Sequence, residues 1–381
     1  MHIAYNGWFW DQPNTGSGQV IRRLLPALRR LKPDLKLTLV LPADGRGGAS
    51  PDDLPPDVNV VIVGGSRSNL GKVWFEQRLF PTAAARAGAD IAHVPYWGPP
   101  LASPIPLVTS VLDVIPLALP EYSAGFFPRL YTALVSAAAR GSTQVITISD
   151  AAKTEIVERL AIPPERITTT HLAADEAYHP RLGAERDAAV REKYALPDQF
   201  VLTGFGFDRR KRIDAALQAF TYVARAEGEN TTLVIAGREP RYAEPMFPDL
   251  RALARELGIE ANIQWIGYVE EADKPSLLRL ASVFVFPSAY EGFGLPALEA
   301  MACGTPVIAS DIPVIQEVVG DAAYLVKPGD ARAMGGAMLA LLLQDPLRQT
   351  MITRGLGRAT RFQWRRTAQE TLGVYERTLA G

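Results

Sequence analysis

The sequence predicts two α/β domains, each with a doubly wound parallel sheet, facing each other across a ligand cleft. Short β-branched runs alternate with longer stretches rich in Ala, Leu and Arg, which is the pattern of right-handed β-α units. The alternation stops over residues 163–197 and then resumes. The length of 381 residues suits two or three domains, at roughly 150 residues per domain. Open α/β sheets bind ligands at the carboxyl ends of their strands, so the cleft is expected there.

The first predicted domain covers residues 1–172. Short runs of Val, Ile and Leu predict buried strands at 37–41, 58–63, 107–111 and 144–148. The stretches between or beside them predict helices at 18–32, 71–87, 123–140 and 150–160. Residues 45–56, rich in Gly, Pro and Asp, are a predicted loop.

The second predicted domain covers residues 173–360, after the proline-rich break. Its predicted strands are 200–203, 232–236, 263–266, 283–286 and 306–309. The chain ends in a predicted helix within residues 361–381.

Composition and charge exclude several classes of protein. Hydrophobic residues make up 48% of the chain and charged residues 21%, which excludes wholesale disorder. The 40 Lys and Arg nearly cancel the 41 Asp and Glu, so the global basic field that nucleic-acid binding needs is absent. Cys303 is the single cysteine, which fits a reducing compartment. The sequence shows neither a secretory signal nor an apolar membrane span, so we expect a cytoplasmic protein with at most peripheral membrane contact.

The most specific stretch is 287–310, which has two glycines between a predicted strand and a predicted helix. Gly292 and Gly294 allow the backbone to approach a ligand, and Pro296 suits the first helical position. The N–H groups at a helix start, together with the helix dipole, favour a phosphate. The stretch is therefore a predicted pyrophosphate site.

Two carboxylates flank this glycine turn. Glu291 lies just before it, where a sugar would sit, and Glu299 lies one turn into the helix. A carboxylate accepts hydrogen bonds from two hydroxyls at once, so Glu299 suits a ribose diol. The alternative interpretation is that the glycines only make a turn and that Glu299 only complements the helix dipole.

A basic segment follows the first strand of the second domain. Arg210 and Lys211 come shortly after Gly206, at a strand end that should point into the cleft. Arg can hold a phosphate through two hydrogen bonds and Lys adds a point charge, so the pair could neutralise a departing diphosphate. No Asp-x-Asp occurs in the sequence, which favours protein cations over a metal ion.

Together these motifs resemble glycosyltransferase family 4, whose members are retaining enzymes with the GT-B fold. Residues 15–18 resemble its N-terminal glycine-rich loop, and residues 206–211 resemble its Gly-x-x-x-Arg-Lys segment. Glu291 and Glu299 reproduce its Glu-x7-Glu spacing. The resemblance spans most of the chain and implies two Rossmann-like domains facing across a cleft, with the closing helix 361–381 packed back on the first domain.

The resemblance also implies a role for each site residue. Arg210 and Lys211 contact the diphosphate, Glu291 holds the donor sugar, and Glu299 binds the ribose. The other implied donor-binding residues are Gly16, Ser17, Gly18, Gly206, Gly267, Tyr268, Val269, Gly292, Phe293, Gly294 and Leu295. The co-substrate is a nucleotide-diphosphate sugar, with a GDP-sugar favoured over a UDP- or dTDP-sugar, and neither a further cofactor nor a metal is expected. The acceptor is a saccharide, lipid-linked in polysaccharide, O-antigen or exopolysaccharide assembly.

One position departs from the family pattern. Members often have His-Asp after a strand of the first domain, whereas this chain has Leu112-Asp113. We hypothesise that Leu112 lines an apolar pocket for a sugar without its 6-hydroxyl, such as rhamnose or fucose. Otherwise the sugar is mannose or glucose, and Asp113 or main chain replaces the contact of the His. Asp113 therefore joins Arg210, Lys211 and Glu291 as a catalytic candidate.

Several features have two interpretations. His93 could contact ligand or be a buried structural histidine, and residues 15–18 could bind ligand or only cap a helix. The aromatic residues at 8–10 and 96–97 could stack on a saccharide or belong to the core. Residues 72–78 could touch an anionic membrane, although their charge density argues against strong anchoring.

The resemblance leaves two alternative functions. An epimerase on the same fold would need acid and base groups at the sugar, which Leu112 makes less available. A nucleotide-sugar-binding protein without catalysis would not require a cation pair for a leaving group, so Arg210 and Lys211 favour the transferase.

Overall fold

The computed structural model describes residues 1–13, 15–43, 57–66, 68–240 and 246–381; the predicted loop 45–56 lies outside them. The described residues form two compact units. The first unit combines Met1–Leu172 with Gln363–Gly381, and the second is Ala173–Phe362. No helix in the described ranges is long and apolar enough to cross a bilayer.

The first unit is built around a parallel sheet. The strands of its described part are β1 His2–Asn6, β2 Lys36–Pro42, β3 Asn59–Val63, β4 Ile91–Val94, β5 Leu107–Ser110, β6 Gln144–Thr147 and β7 Ile167–Thr169. They lie in the order β3-β2-β1-β4-β5-β6-β7, and every neighbouring pair is parallel. The order reverses direction between β1 and β4, as in a doubly wound sheet.

The helices of the first unit cover the two faces of this sheet. They are α1 Gly16–Leu31, α2 Asn69–Trp74, α3 Phe80–Arg86, α4 Ile115–Ala118, α5 Phe126–Arg140 and α6 Asp150–Leu160, with a π-helical turn at Phe75–Leu79 between α2 and α3. The chain's last helix, numbered α15 in chain order, is Trp364–Ala380 and belongs to this unit. It packs beside α1, and its Leu372 and Tyr375 share a buried core with Ile21 and Leu25.

The second unit repeats the architecture. In the described residues its strands are β8 Phe200–Gly204, β9 Thr232–Ala236, β10 Ile263–Gly267, β11 Val283–Phe286, β12 Val307–Ser310 and β13 Tyr324–Val326. Their order is β10-β9-β8-β11-β12-β13, again with parallel neighbours. The helices are α7 Asp187–Lys193, α8 Ile213–Glu227, α9 Leu250–Glu256, α10 Lys274–Leu280, α11 Leu295–Ala302, α12 Pro313–Val319, α13 Ala331–Leu343 and α14 Asp345–Ala359.

The cores explain why apolar runs become strands here. Helices on both faces bury a parallel strand completely, so its side chains need not alternate between apolar and polar. Leu202, Val234 and Val285 are fully buried examples from three neighbouring strands. This burial places the ends of β8, β9 and β11 firmly, and the candidate site is built on those ends.

Candidate functional site

The sheet of the second unit changes direction between β8 and β11, which are hydrogen-bonded neighbours. At such a point the connections leave toward opposite sides, so the strand ends open a crevice for ligand. β8 continues into residues 204–212, and β11 continues into residues 287–294. The two most specific sequence motifs therefore lie side by side.

Three predicted residues meet at this point. Arg210 Nη1 donates to Glu291 Oε2 at 2.9 Å, and Lys211 Nζ donates to Glu291 Oε1 at 2.7 Å. Arg210 Nη1 also donates to the carbonyl of Tyr290 at 3.1 Å. Glu291 thus bridges the two cations, one on each carboxylate oxygen. The sequence predicts all three as site residues but does not predict this pairing.

Local structure holds the cations in place. Residues Arg209–Lys211 form a 3-10 turn, and the Arg210 carbonyl accepts from Ala289 N at 2.8 Å, which ties the turn to the end of β11. Lys211 is only 9% exposed, and its ammonium lies 5.3 Å from the centre of the Phe286 ring. A Cβ on Gly206 would lie 3.0 Å from Lys211 Cε, so a glycine leaves room for the lysine.

The cluster contains a second carboxylate, because Asp208 Oδ1 lies 3.2 Å from Arg210 Nε. Burial by itself would raise the pKa of Glu291, but Lys211 and Arg210 outweigh it, and the pKa lies below its ordinary value. The carboxylate is therefore ionised at neutral pH. Arg210 and Lys211 thus face two carboxylates, and their guanidinium and ammonium groups are the hydrogen-bond donors that suit a diphosphate.

The glycine turn after Glu291 leads into α11. Gly294 has φ +97°, and a Cβ there would lie 2.5 Å from Ile315 Cδ1, so only glycine fits. It occupies the N-cap position and has no side chain to bond the N–H groups at the start of α11. Leu295 and Pro296 form the first turn. Phe293 is buried with its ring edge-on to Phe362 at 5.8 Å, so its side chain is not available to a ligand.

Glu299 lies on α11 in an environment unlike that of Glu291. Burial raises the pKa of Glu299 to about 8; Lys274 lowers it, and nearby Glu271 raises it further. Tyr178 makes a hydrogen bond to the carboxyl group. Sequence reasoning misses Tyr178 and Lys274, because Tyr178 lies in the aperiodic segment 163–197 and Lys274 opens a helix with no motif of its own.

The end of β10 contributes a third predicted segment. Gly267 has φ +68°, and its carbonyl accepts from Gly237 N at 2.7 Å. Tyr268 is exposed with the Arg238 guanidinium 5.5 Å from its ring centre, whereas Val269 is buried. Gly267 is partly exposed and Tyr268 is exposed, so both are accessible to a ligand, whereas Val269 is not.

The predicted loop of the first unit has a clear structural role. Thr15 caps α1, with its hydroxyl accepting from Gly18 N at 3.1 Å. A Cβ on Gly18 would lie 2.0 Å from the Gln12 carbonyl oxygen, so close backbone packing requires this glycine. Gly16 has open space around its Cβ position, and Ser17 is partly exposed. Helix capping and close packing account for Thr15 and Gly18. Gly16 and Ser17 are accessible to solvent.

Leu112 and Asp113 follow β5 in the first unit. Both are partly exposed, and Asp113 Oδ1 accepts from Ile115 N at 3.1 Å, which shapes the start of α4. The structure places these residues at the carboxyl end of the sheet, as the sequence predicts.

His93 is a structural histidine. It is fully buried, with Nδ1 2.6 Å from the Tyr375 hydroxyl and Nε2 2.9 Å from Ser110 Oγ. The Tyr375 hydroxyl also hydrogen bonds to that of Tyr5. Burial lowers the pKa of His93 to about 3, so the ring is neutral at physiological pH. Of the two interpretations of His93, ligand contact is therefore wrong.

Most of the candidate stacking residues belong to the core. Trp8, Trp10 and Tyr96 are 5%, 3% and 3% exposed, and Trp8 packs against Phe75. A sugar cannot stack on rings that are already covered. The interpretation that Trp8, Trp10 and Tyr96 belong to the core is therefore correct, and saccharide stacking is wrong for these three residues.

Two family models match the chain. Residues 190–358 match glycosyl transferases group 1, and residues 14–178 match glycosyltransferase family 4. The O-antigen chain mannosyltransferase B of Escherichia coli is 33% identical over 302 residues, which are 78% of each protein. The chain belongs to glycosyltransferase family 4, and it is an enzyme that transfers a sugar.

Solved structures show the same architecture. Sucrose-phosphate synthase from Thermosynechococcus elongatus matches with a TM-score of 0.77 at 20% identity, over 100% of this chain and 99% of that one. Anabaena HepE, solved in complex with UDP and glucose, matches with a TM-score of 0.74 at 18% identity, over 99% of both chains. At these identities the likeness shows the fold alone, and it confirms the predicted GT-B class.

Proposed function

We propose that the enzyme transfers mannose, glucose or a 6-deoxyhexose, with retention, from a nucleotide-diphosphate donor to a saccharide acceptor. The acceptor is lipid-linked, and the reaction belongs to polysaccharide, O-antigen or exopolysaccharide assembly. One observation supports the chemistry above all: Arg210 and Lys211 meet at Glu291 beside the glycine turn of α11. The name of the E. coli relative supports mannose and O-antigen.

The cluster fits a reaction whose leaving group is a diphosphate. As the bond from the sugar C1 to the phosphate oxygen breaks, negative charge grows on the diphosphate, and Arg210 and Lys211 stabilise it. The acceptor hydroxyl attacks C1 from the face that the diphosphate leaves, which retains the configuration. Its proton passes to the departing phosphate oxygen, so no protein carboxylate is needed as a base.

The surrounding residues each contact a different part of the donor. Backbone at Gly292, Phe293, Gly294 and Leu295 meets the phosphates at the start of α11, because N–H groups and the helix dipole favour anions there. Glu299 accepts from the ribose hydroxyls, and residues 267–269 contact the base. Gly16, Ser17, Gly18 and Asp113 are the candidate site residues of the first unit.

Lys211→Ala and Arg209→Ala test this assignment. Arg209 lies in the same 3-10 turn and is exposed, so it is a matched cation outside the cluster. We expect Lys211→Ala to lower kcat about 100- to 1000-fold, and Arg209→Ala to change it less than about threefold. Equal activity of the two variants would contradict the leaving-group role. Unchanged activity in EDTA would support a reaction without a divalent metal.

Leu112 is proposed to select the donor sugar. An apolar side chain leaves the 6-hydroxyl of mannose or glucose without a partner, at a cost of about 1–3 kcal/mol. We expect kcat/KM for GDP-fucose or another 6-deoxy donor to exceed that for GDP-mannose by about tenfold. Leu112→His should reduce this difference in kcat/KM between the 6-deoxy donor and GDP-mannose. Turnover of GDP-mannose or UDP-glucose above every deoxy-sugar donor would refute the selection and assign the contact to Asp113 or main chain.

A further inference from the structure

The carboxyl ends of β9 and β10 bring an arginine and a tyrosine together in the second unit. Gly237 N donates to the Gly267 carbonyl at 2.7 Å, so the next residues, Arg238 and Tyr268, leave the two neighbouring strands side by side. The Arg238 guanidinium lies over the Tyr268 ring, 5.5 Å from its centre, within the range of a cation–π attraction. Both residues are exposed. The fold therefore holds this pair in place without burying it.

The backbone before Arg238 has one close fit. Gly237 has φ +132°, and a Cβ there would lie 2.7 Å from Phe207 Cε2, so this position requires glycine. Phe207 is buried, and its ring stacks on Trp265 of β10 with ring centres 6.4 Å apart. The residue that carries the Arg238 side chain is therefore fixed relative to β10.

Arg251 of α9 lies in the same region but differs from Arg238 in its partners. Its Nε and Nη2 donate to the two carboxylate oxygens of Glu239, at 2.8 and 2.6 Å, and its guanidinium lies over the Trp265 ring. Glu239, which follows Arg238 in the chain, is thereby already paired. Among the residues that the structure describes, the Tyr268 ring is the partner of Arg238, so the Arg238 N–H groups are available to a ligand.

The pair lies at the expected position of the nucleotide base. This step rests on the proposed function, in which the diphosphate lies at the ends of β8 and β11 and residues 267–269 contact the base. β9 and β10 continue the sheet on the side of β8 away from β11. Neighbouring strands are about 4.8 Å apart, so Arg238 follows the strand next to β8 and Tyr268 the strand beyond it. This spacing suits a nucleoside that is attached to the diphosphate.

An arginine at the edge of a base distinguishes one base from another. The guanidinium group has donors but no acceptor, and the donors form a planar fork. Guanine presents two adjacent acceptors, O6 and N7, which match this fork. Adenine places its N6 amino donor beside N7, and uracil has O4 as the single acceptor on the corresponding edge. The available arginine therefore favours guanine.

We propose that Arg238 selects a guanine nucleotide as donor, by donating hydrogen bonds to O6 and N7 of the base while the Tyr268 ring holds the guanidinium in place. The donor is then a GDP-sugar. The 2-amino group of guanine takes no part in this contact. Inosine diphosphate, which has O6 and N7 but lacks that amino group, should therefore bind like GDP.

Titration calorimetry with GDP, UDP, inosine diphosphate and 7-deaza-GDP, in which carbon replaces N7, tests the proposal. We expect the wild type to bind GDP about tenfold or more tightly than UDP or 7-deaza-GDP, and inosine diphosphate within about threefold of GDP. Arg238→Met keeps an unbranched side chain beside Tyr268 and removes the donors. It should bind GDP about tenfold more weakly than wild type, bind UDP within about threefold of wild type, and no longer distinguish GDP from 7-deaza-GDP.

A matched control removes an arginine from the opposite edge of the same sheet. Arg225 is exposed in the last turn of α8, which ends shortly before β9 begins and so lies at the amino ends of the strands. Arg225→Met should leave all four affinities within about threefold of wild type.

Two results would overturn the selection of guanine and leave the donor site standing. One is an equal loss of GDP and UDP binding in Arg238→Met, which would give Arg238 a role that does not depend on the base. The other is a wild type that binds UDP as tightly as GDP, with the binding of both lost in Lys211→Ala. If the wild type binds none of the four nucleotides, the donor site and the selection of guanine are overturned together.

Discussion

Glu291 and Glu299 lie on either side of one glycine turn, yet their protonation differs. Two cations keep Glu291 ionised, while burial beside Glu271 raises the pKa of Glu299 to about 8. The free enzyme at pH 7 therefore has Glu299 largely protonated. Since an ionised carboxylate accepts from both ribose hydroxyls, donor binding and the loss of this proton should be coupled.

Replacing Glu299 by Gln should change how the stability of the folded protein depends on pH. The folded pKa of about 8 lies above the ordinary value of 4.5, so the folded state binds more protons than the unfolded chain between those values. Stability is then lost as pH rises through this window. We expect the Tm of Glu299→Gln to approach that of wild type at pH 5 and to exceed it by about 3 °C or more at pH 9.

An exposed carboxylate supplies the comparison for Glu299. Glu256 lies on the surface of α9, so Glu256→Gln should shift Tm equally little at both pH values. A Glu299→Gln difference that stays constant with pH would show that the carboxyl group is already ionised in the folded protein.

The sequence could predict the members of the site better than their bonding. Arg210, Lys211 and Glu291 follow strands in recognisable motifs, so their positions are set by the fold. The bridge from Glu291 to both cations joins residues 80 positions apart and depends on how two loops approach each other. The hydrogen bond of Tyr178 to Glu299 could not be predicted either, because these residues also meet only in the folded structure.

At the scale of elements, the turn before α11 depends on one glycine. Gly294→Ala combines the strain of a positive φ with a methyl 2.5 Å from Ile315 Cδ1, so the buried Ile315 side chain must also move. We expect a loss of about 1–3 kcal/mol in unfolding free energy and weaker nucleotide binding, measured by urea denaturation and calorimetry.

Gly336→Ala is the matched substitution for Gly294→Ala. Gly336 lies inside α13 with nothing near its Cβ position, so alanine there should stabilise the protein by roughly 0.5–1 kcal/mol. Equal stability changes for the two glycines would contradict the close contact at Ile315.

Long apolar runs predicted the strands well, and short ones did not. The predicted strands do not include β1, β4, β7 or β13, of which β7 and β13 have three residues each. β1 begins at His2 and ends at Asn6, so its polar ends obscure a buried centre. Its place in the sheet is fixed by pairing with β2 and β4, which local sequence does not encode.

The closing helix α15 is predicted from the sequence, but its contacts with the rest of the first unit are not. The sequence predicts a helix here, but the fit of Tyr375 against His93 and Tyr5 arises only when residues 282 and 370 positions apart meet. Burial of these polar groups demands partners, because an unpaired one costs about 1–3 kcal/mol. The buried trio therefore favours one docking position for α15 on the first unit.

For the whole molecule, the net charge of −1 means that donor attraction must come from local fields. In the second unit the candidate cations are Arg210 and Lys211, which meet at Glu291. A nucleotide diphosphate that binds there should stabilise the folded enzyme, by about 2.7 kcal/mol at a hundred times its Kd.

A thermal-shift panel of GDP, UDP, dTDP and ADP, each with and without its sugar, measures this stabilisation. We expect one nucleotide, with GDP favoured, to raise Tm by several degrees in wild type and in Arg209→Ala, but not in Lys211→Ala. Arg209 and Lys211 lie in the same turn and each carries one positive charge. A nucleotide-induced rise in Tm that is lost only in Lys211→Ala therefore locates the diphosphate at the cluster. Equal shifts in both variants would place the nucleotide elsewhere, and no shift with any nucleotide would count against a donor site in the second unit.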